Sequence, residues 1–222
     1  ARSFVEVCGA AGVKVGILGK EEKCCGEPVR KLGNEYLYQV LAAENIERIK
    51  EYGVKKIVTS CAGCFNIISS YSEHLPEFDI PVEHITQTVA RLAKEGKLSF
   101  KRNEKEVTYH DPCDLGRHMG VFEAPREIIR SIPGLTLKEM EMNREKGECC
   151  GAGAGVRKTH PELARFIASR RIKGAAETEV TSLVTACPFC EDNFRRSLEE
   201  YPQDIEVLDL IVLARDSLIE DG

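Results

Sequence analysis

Short runs of β-branched and apolar residues alternate along this chain with longer stretches whose apolar positions recur three and four residues apart. Val13 to Leu18, Lys56 to Ser60, Val107 to Tyr109 and Ser182 to Thr185 have the length and composition of strands. Asn34 to Tyr52 places Leu37, Val40, Leu41, Ile46 and Ile49 on one helical face, with Gly53 as terminator. Thr159 to Ala176 reads similarly: Thr159 and Glu162 stand in capping-box register, and Leu163, Phe166 and Ile167 form the expected buried stripe. Strands alternating with helices predict a mainly parallel sheet, in which ligands gather at the carboxyl ends of strands.

The alternation is used twice. In each half a Cys-Cys-Gly precedes a helical stretch, a β-rich run ending in Cys-x-x-Cys, a polar helix, a short strand and a last helix. The short strands begin at Asp79 and Asp204, 15 and 14 residues after the last cysteine of their copies. The charged stretch Lys94 to Lys105 reads as a linker between them. The expected architecture is α/β: two tandem, pseudo-repeated units, residues 1–98 and 99–222, each with a small mainly parallel sheet flanked by helices.

The chemistry lies in the cysteines. The first copy holds Cys24, Cys25, Cys61 and Cys64, and the second holds Cys149, Cys150, Cys187 and Cys190. Cys61 follows Cys25 by 36 positions and Cys187 follows Cys150 by 37. Cys113, in His110-Asp111-Pro112-Cys113, precedes Cys149 by a further 36. Thiolates are the soft ligands that iron–sulfur clusters and zinc select. Adjacent cysteines both reach one centre only if the backbone bends sharply, which Gly151 permits at positive φ. The amides of the glycine-rich run from Gly151 to Gly155 are then placed to donate to sulfur. Five sulfurs exceed the four that a cubane or tetrahedral zinc requires, so the extra thiol is unused, a bridge in an unusual cluster, or a redox partner.

Composition narrows the setting. A net charge of −5 with interspersed signs gives no case for nucleic acid. No apolar run is long enough to span a bilayer. Ten cysteines set among helix–strand alternation, rather than in a short loop-rich scaffold, favour reduced thiols and a cytoplasmic, oxygen-protected location. The glycine run lacks the Gly-Lys-Ser/Thr ending of a phosphate loop.

With Cys-Cys-Gly and Cys-x-x-Cys twice over, His110-Asp111-Pro112-Cys113 and Ala186-Cys187-Pro188-Phe189-Cys190, the chain resembles the CCG-domain iron–sulfur oxidoreductases. These include the B- and D-type subunits of heterodisulfide reductase and iron–sulfur subunits of glycolate, lactate and glycerol-3-phosphate dehydrogenases. The resemblance implies a noncubane four-iron four-sulfur cluster on Cys113, Cys149, Cys150, Cys187 and Cys190. For Cys24, Cys25, Cys61 and Cys64, whose fifth ligand would project about a dozen residues before Ala1, the alternatives are a second four-iron four-sulfur cluster, zinc, or a decayed, empty site. In the heterodisulfide branch the implied chemistry is cleavage of a thiol–thiol disulfide between two clusters. In the dehydrogenase branch the clusters only pass electrons from a flavoprotein towards quinone. Implied partners are subunits with ferredoxin-like clusters or flavin, with peripheral membrane association through a partner or an upstream segment.

A reading from another class makes both cysteine sets zinc staples of an assembly module. Outside them, Cys8 reads as a small buried helix residue. His110 stands as a sulfur-facing donor, a proton relay or a packed strand end. Arg117 and His118 read as a solvated loop, with an anionic substrate as the alternative, and His74, His84 and His160 have no evident partners.

Overall fold

The computed structural model describes residues 2–219. The N-terminal half runs α1 (Arg2–Ala10), α2 (Glu27–Lys31), α3 (Glu35–Glu51), β1 (Ile57–Thr59), α4 (Ala62–Ser69), α5 (Tyr71–His74), β2 (Val82–His84) and α6 (Ile85–Lys94). The C-terminal half runs β3 (Glu106–His110), α7 (Glu123–Ser131), β4 (Thr136–Leu137), α8 (Val156–Thr159), α9 (Pro161–Ala176), β5 (Ser182–Thr185), α10 (Pro188–Glu200), β6 (Glu206–Asp209) and α11 (Leu210–Asp216). The expected fold class holds: β1 and β2 form a parallel pair, and β4-β3-β5-β6 form a four-stranded parallel sheet. His110 lies opposite Thr185, and Thr185 opposite Asp209, so β3, β5 and β6 finish level with one another. Cys113 and Cys187 emerge just beyond that edge.

Helix α3 forms where its apolar period and cap place it, with the Asn34 side chain accepting from the Leu37 amide at 3.0 Å. Its buried face is Tyr38, Ala42, Ile46 and Ile49, and Leu37 stays exposed. The expected capping box at Thr159 does not form. Pro161 holds the residue before it out of the helical region, and His160 sits at φ −140° and ψ 66° as the N-cap of α9. Thr159 instead ends α8, its hydroxyl donating back to the Gly155 carbonyl at 3.2 Å. The stripe of α9 is also displaced: Leu163 and Phe166 are 47% and 51% exposed, and Ala164, Ala168, Arg171, Ile172 and Ala175 are buried. Small residues on this face let α9 lie close against α10, and that packing outweighs the size of Leu163 and Phe166.

Val13 to Leu18 does not form a strand. In the C-terminal half the segment at this point of the repeat is β4, which pairs with β3, and β3 pairs with β5. Among the described residues the N-terminal half has no counterpart of β3. Val13 to Leu18 therefore has no neighbour at the 4.7–4.9 Å spacing of a sheet. Cavities of about 410 and 630 Å³ lie between this segment and β1.

The main core joins the two halves. Val7 and Cys8 of α1, Val89 and Leu92 of α6, Ile128 and Ile129 of α7, and Ile211 and Leu213 of α11 belong to one cluster. Helix α6 packs on α7 and α1 packs on α11, so each half lends helices to the other. The charged stretch read as a linker is fastened to this core. Leu98 and Phe100 are buried in it, and the Asn103 amide donates to the Pro133 carbonyl at 2.8 Å. A smaller cluster, with Tyr38, Ile46, Tyr71 and Phe78, packs around Cys25.

Candidate metal centre

Both Cys-Cys-Gly segments fold into the same turn. Gly151 has φ 84°, and its amide donates to Cys149 Sγ at 3.3 Å. Gly26 has φ 86°, and its amide donates to Cys24 Sγ at 3.4 Å. The left-handed glycine reverses the chain so that neighbouring thiols face one side. Polar side chains pin the carbonyls of each pair. Asn193 Nδ2 donates to Cys150 O at 2.7 Å, Asn45 Nδ2 to Cys24 O at 3.0 Å, and the Tyr71 hydroxyl to Cys25 O at 2.9 Å.

A side chain at residue 151 has no room. Its Cβ would stand 2.8 Å from the Ala164 carbonyl oxygen and 2.9 Å from Ile167 Cβ. Gly151→Ala is therefore expected to cost at least about 2 kcal/mol of stability. Gly153→Ala, whose added carbon meets nothing within 4 Å, should be nearly neutral. Urea unfolding of the two variants checks this, and equal effects would show that the turn is not tightly held.

The Cys-x-x-Cys pairs sit at helix starts. Cys61 and Cys187 are the extended N-cap residues of α4 and α10, and Cys64 and Cys190 lie in the first turns. A helix N-terminus favours thiolate there. Pro188 occupies the first helical position, where its missing amide costs nothing.

All nine cysteines of the two motif sets line one cavity of about 410 Å³. Thiol–thiol interactions link Cys113 to Cys149, Cys150, Cys190 and Cys187 in turn. From Cys187 the series crosses to Cys61 in the other set, then to Cys64 and Cys25, the last two sulfurs 3.2 Å apart. Cys24 stands at the exposed rim. Interaction with Cys113 and Cys150 pulls the Cys149 thiol down to about 2, and interaction with Cys187 and Cys64 does the same for Cys61. The donating neighbours move the other way. Cys149 pushes Cys113 up, and Cys25 and Cys61 push Cys64 up. Like charges this close do not all ionise unless a cation is placed among them. The donor set is thus suited to a metal centre. Five soft ligands in the C-terminal set fit an iron–sulfur centre better than tetrahedral zinc, and four in the other set fit either.

The remaining sequence candidates divide clearly. Cys8 is fully buried in α1 and does not line the cysteine cavity. His118 is exposed, and Arg117 is spent on the loop before Cys149, its Nη2 donating to Gly147 O at 2.5 Å. His74 pairs with Arg30 at 2.9 Å, His84 is buried as the N-cap of α6, and His160 caps α9. His110 is fully buried beside Cys150 and Cys190.

Several residues that shape the site escaped the sequence reading. Arg126, fully buried, grips both oxygens of Asp111 at 2.7 and 2.9 Å and both oxygens of Glu139 at 2.6 and 2.9 Å. This clamp holds the turn that presents Cys113. Asp114 accepts from Lys31 Nζ and from Asn66 Nδ2, each at 3.0 Å, tying the two halves together beside the cavity. No sequence signal marks these pairs, whose members stand far apart along the chain.

Comparison with known proteins matches residues 1–69 and 107–195 to the CCG cysteine-rich domain. Over 213 residues the chain is 40% identical to the D-type subunit of the dihydromethanophenazine:CoB–CoM heterodisulfide reductase of Methanosarcina acetivorans, covering 93% of this chain and 52% of that one. It is 39% identical over 197 residues to the EtfAB:quinone oxidoreductase of Syntrophomonas wolfei, covering 85% of this chain and 27% of that one. An iron–sulfur protein of Methanococcus maripaludis is 38% identical over 218 residues, covering 96% and 42%. The chain thus spans about half the length of the heterodisulfide reductase relatives it matches. With the Cys-Cys-Gly turn formed twice and both matched segments contributing to one cysteine cavity, this chain belongs to the CCG cysteine-rich domain family.

Proposed function

We propose that this chain is the iron–sulfur redox module of a heterodisulfide-reductase-like oxidoreductase. Cys113, Cys149, Cys150, Cys187 and Cys190 hold a four-iron four-sulfur centre, of noncubane type, and Cys24, Cys25, Cys61 and Cys64 hold a second metal centre. The reading rests on the shared cavity: both cysteine sets open into it, and Cys61 interacts directly with Cys187. A zinc-stapled scaffold gives no reason for a fifth thiol in one set, nor for two sets facing across one space.

A bound centre supplies storage and transfer of single electrons. The polypeptide's part is to hold nine sulfurs on stiff turns and helix starts and to fasten the two halves through Asp114. It also buries Cys25, Cys150, Cys187 and Cys190 away from solvent. The cavity admits a small molecule such as a thiol–thiol disulfide. Electrons arrive from partner subunits carrying ferredoxin-like clusters or flavin. The units 1–98 and 99–222 act as one redox body on this reading.

Anaerobically reconstituted protein should oxidise a low-potential one-electron donor when a mixed thiol disulfide is added, releasing two thiols per two electrons. Full iron and sulfide content without such turnover would instead make the chain an electron relay towards a quinone-linked partner.

A further inference from the structure

Among the buried polar atoms near the C-terminal cysteine set that have no partner are His110 Nε2 and Arg171 Nη2. His110 closes β3, fully buried, with its ring perpendicular to that of Phe194 at a centroid distance of 4.8 Å. One of its ring nitrogens and the sulfurs of Cys150 and Cys190 all lie within 4.8 Å of one another. The other contact of the ring is with Arg171, whose Nε donates to His110 Nδ1 at 3.2 Å. With Nδ1 engaged by Arg171, Nε2 is the ring nitrogen left without a partner.

The guanidinium decides the tautomer. Arginine has donors only and keeps its charge in proteins, so the nitrogen it faces must accept. A neutral imidazole has a single N–H, which is then on Nε2. An imidazolium would set its Nδ1–H against the Arg171 Nε–H that already points at it. The polarity is opposite to that of a metal-bound histidine, whose free nitrogen donates to a carboxylate or carbonyl. Nε2 therefore carries a proton and cannot ligate metal; it can donate to sulfur.

We propose that Arg171 locks His110 as the Nε2–H tautomer and that this N–H donates to the sulfur atoms of the centre held at Cys150 and Cys190, raising its reduction potential. His110 is a positioning residue, not a ligand. A donor beside sulfur favours the more negative, reduced state. The buried, unpaired cation of Arg171 acts in the same direction. In the N-terminal half His84 is likewise fully buried with Nε2 unpartnered and interacts with Cys61, but its Nδ1 contacts the Thr86 hydroxyl rather than an arginine, so no guanidinium fixes its tautomer. The donation step rests on the iron–sulfur reading above; the tautomer is a property of the polypeptide alone.

The tautomer is read by nitrogen-15 magnetic resonance on histidine-labelled full chain, with His110 assigned through His110→Gln. Nε2 should carry the proton and Nδ1 none, and Arg171→Met should abolish that fixed pattern. A proton on Nδ1, or an unchanged pattern in Arg171→Met, overturns the lock. Redox titration of the reconstituted chain reads the donation. His110→Leu should shift the reduction equilibrium of the C-terminal centre about tenfold towards the oxidised form, 59 mV for one electron. His110→Gln, which keeps an N–H, should recover most of the shift. Equal potentials in His110→Leu and the parent, at full iron and sulfide content, overturn the donation. A parent chain that takes up no iron contradicts the functional reading and the donation with it, and leaves the tautomer result to stand on its own.

Discussion

Cys150→Ser is expected to abolish the C-terminal centre, with iron and labile sulfide per chain falling by the content of one cluster and its electron paramagnetic resonance signal lost. The serine oxygen is a hard donor, poorly matched to iron–sulfur chemistry. The backbone also cannot move another ligand into place. Cys150 is buried, its carbonyl is held by Asn193 at 2.7 Å, and the following Gly151 has no room to shift past Ala164. Its sulfur interacts with both Cys149 and Cys190, so its loss breaks the series in the middle. Cys8→Ala is the matched control, since it removes an equally buried sulfur outside the cysteine cavity and should leave metal content and spectra unchanged. An unaltered spectrum in Cys150→Ser would show that this thiol is not a ligand.

The largest stability effect is expected at Arg126. Its guanidinium is fully buried and holds Asp111 and Glu139 through four contacts, with a fifth to the Phe122 carbonyl at 2.7 Å. It also lies over the Tyr109 ring, 5.3 Å from its centroid. Arg126→Met keeps much of the volume and strands the Asp111 carboxylate, which also accepts from the Arg144 amide at 2.9 Å. Removing one partner of a buried pair costs about 3–5 kcal/mol, against about 5–15 kcal/mol for a whole domain. Because Asp111 lies two residues before Cys113, the loss should reach the metal site as well. Adding Asp111→Asn to Arg126→Met should restore part of the stability by removing the stranded charge. Urea unfolding of the three proteins tests this; a cost below about 1 kcal/mol for Arg126→Met would show that water replaces the clamp.

Much of this was legible in the order of residues. The paired cysteine motifs named the residues that line the cavity, because their spacing recurs at a period unrelated to helix or strand. The α/β class followed from apolar periodicity, and Asn34 marked the start of α3 correctly. What failed depended on neighbours. Val13 to Leu18 has the composition of a strand but lacks a strand beside it. Thr159 met the capping pattern, yet Pro161 imposed a different break. Leu163 and Phe166 lost the buried face to alanines that let α9 approach α10. The interlocking of α1 with α11 and α6 with α7, the clamp at Arg126 and the tie at Asp114 join residues distant in the chain. A single sequence has no local pattern that reports them.

Whether five sulfurs of the C-terminal set share one iron–sulfur centre is decided by counting iron, zinc and acid-labile sulfide on anaerobically reconstituted parent protein and on Cys113→Ala. Iron and sulfide are expected in cluster proportion in the parent, with at least four irons per chain. Cys113→Ala, which removes the sulfur contributed from outside the paired motifs, should lose the C-terminal cluster. Zinc without iron in the parent, or identical iron and sulfide in the two proteins, would contradict this assignment.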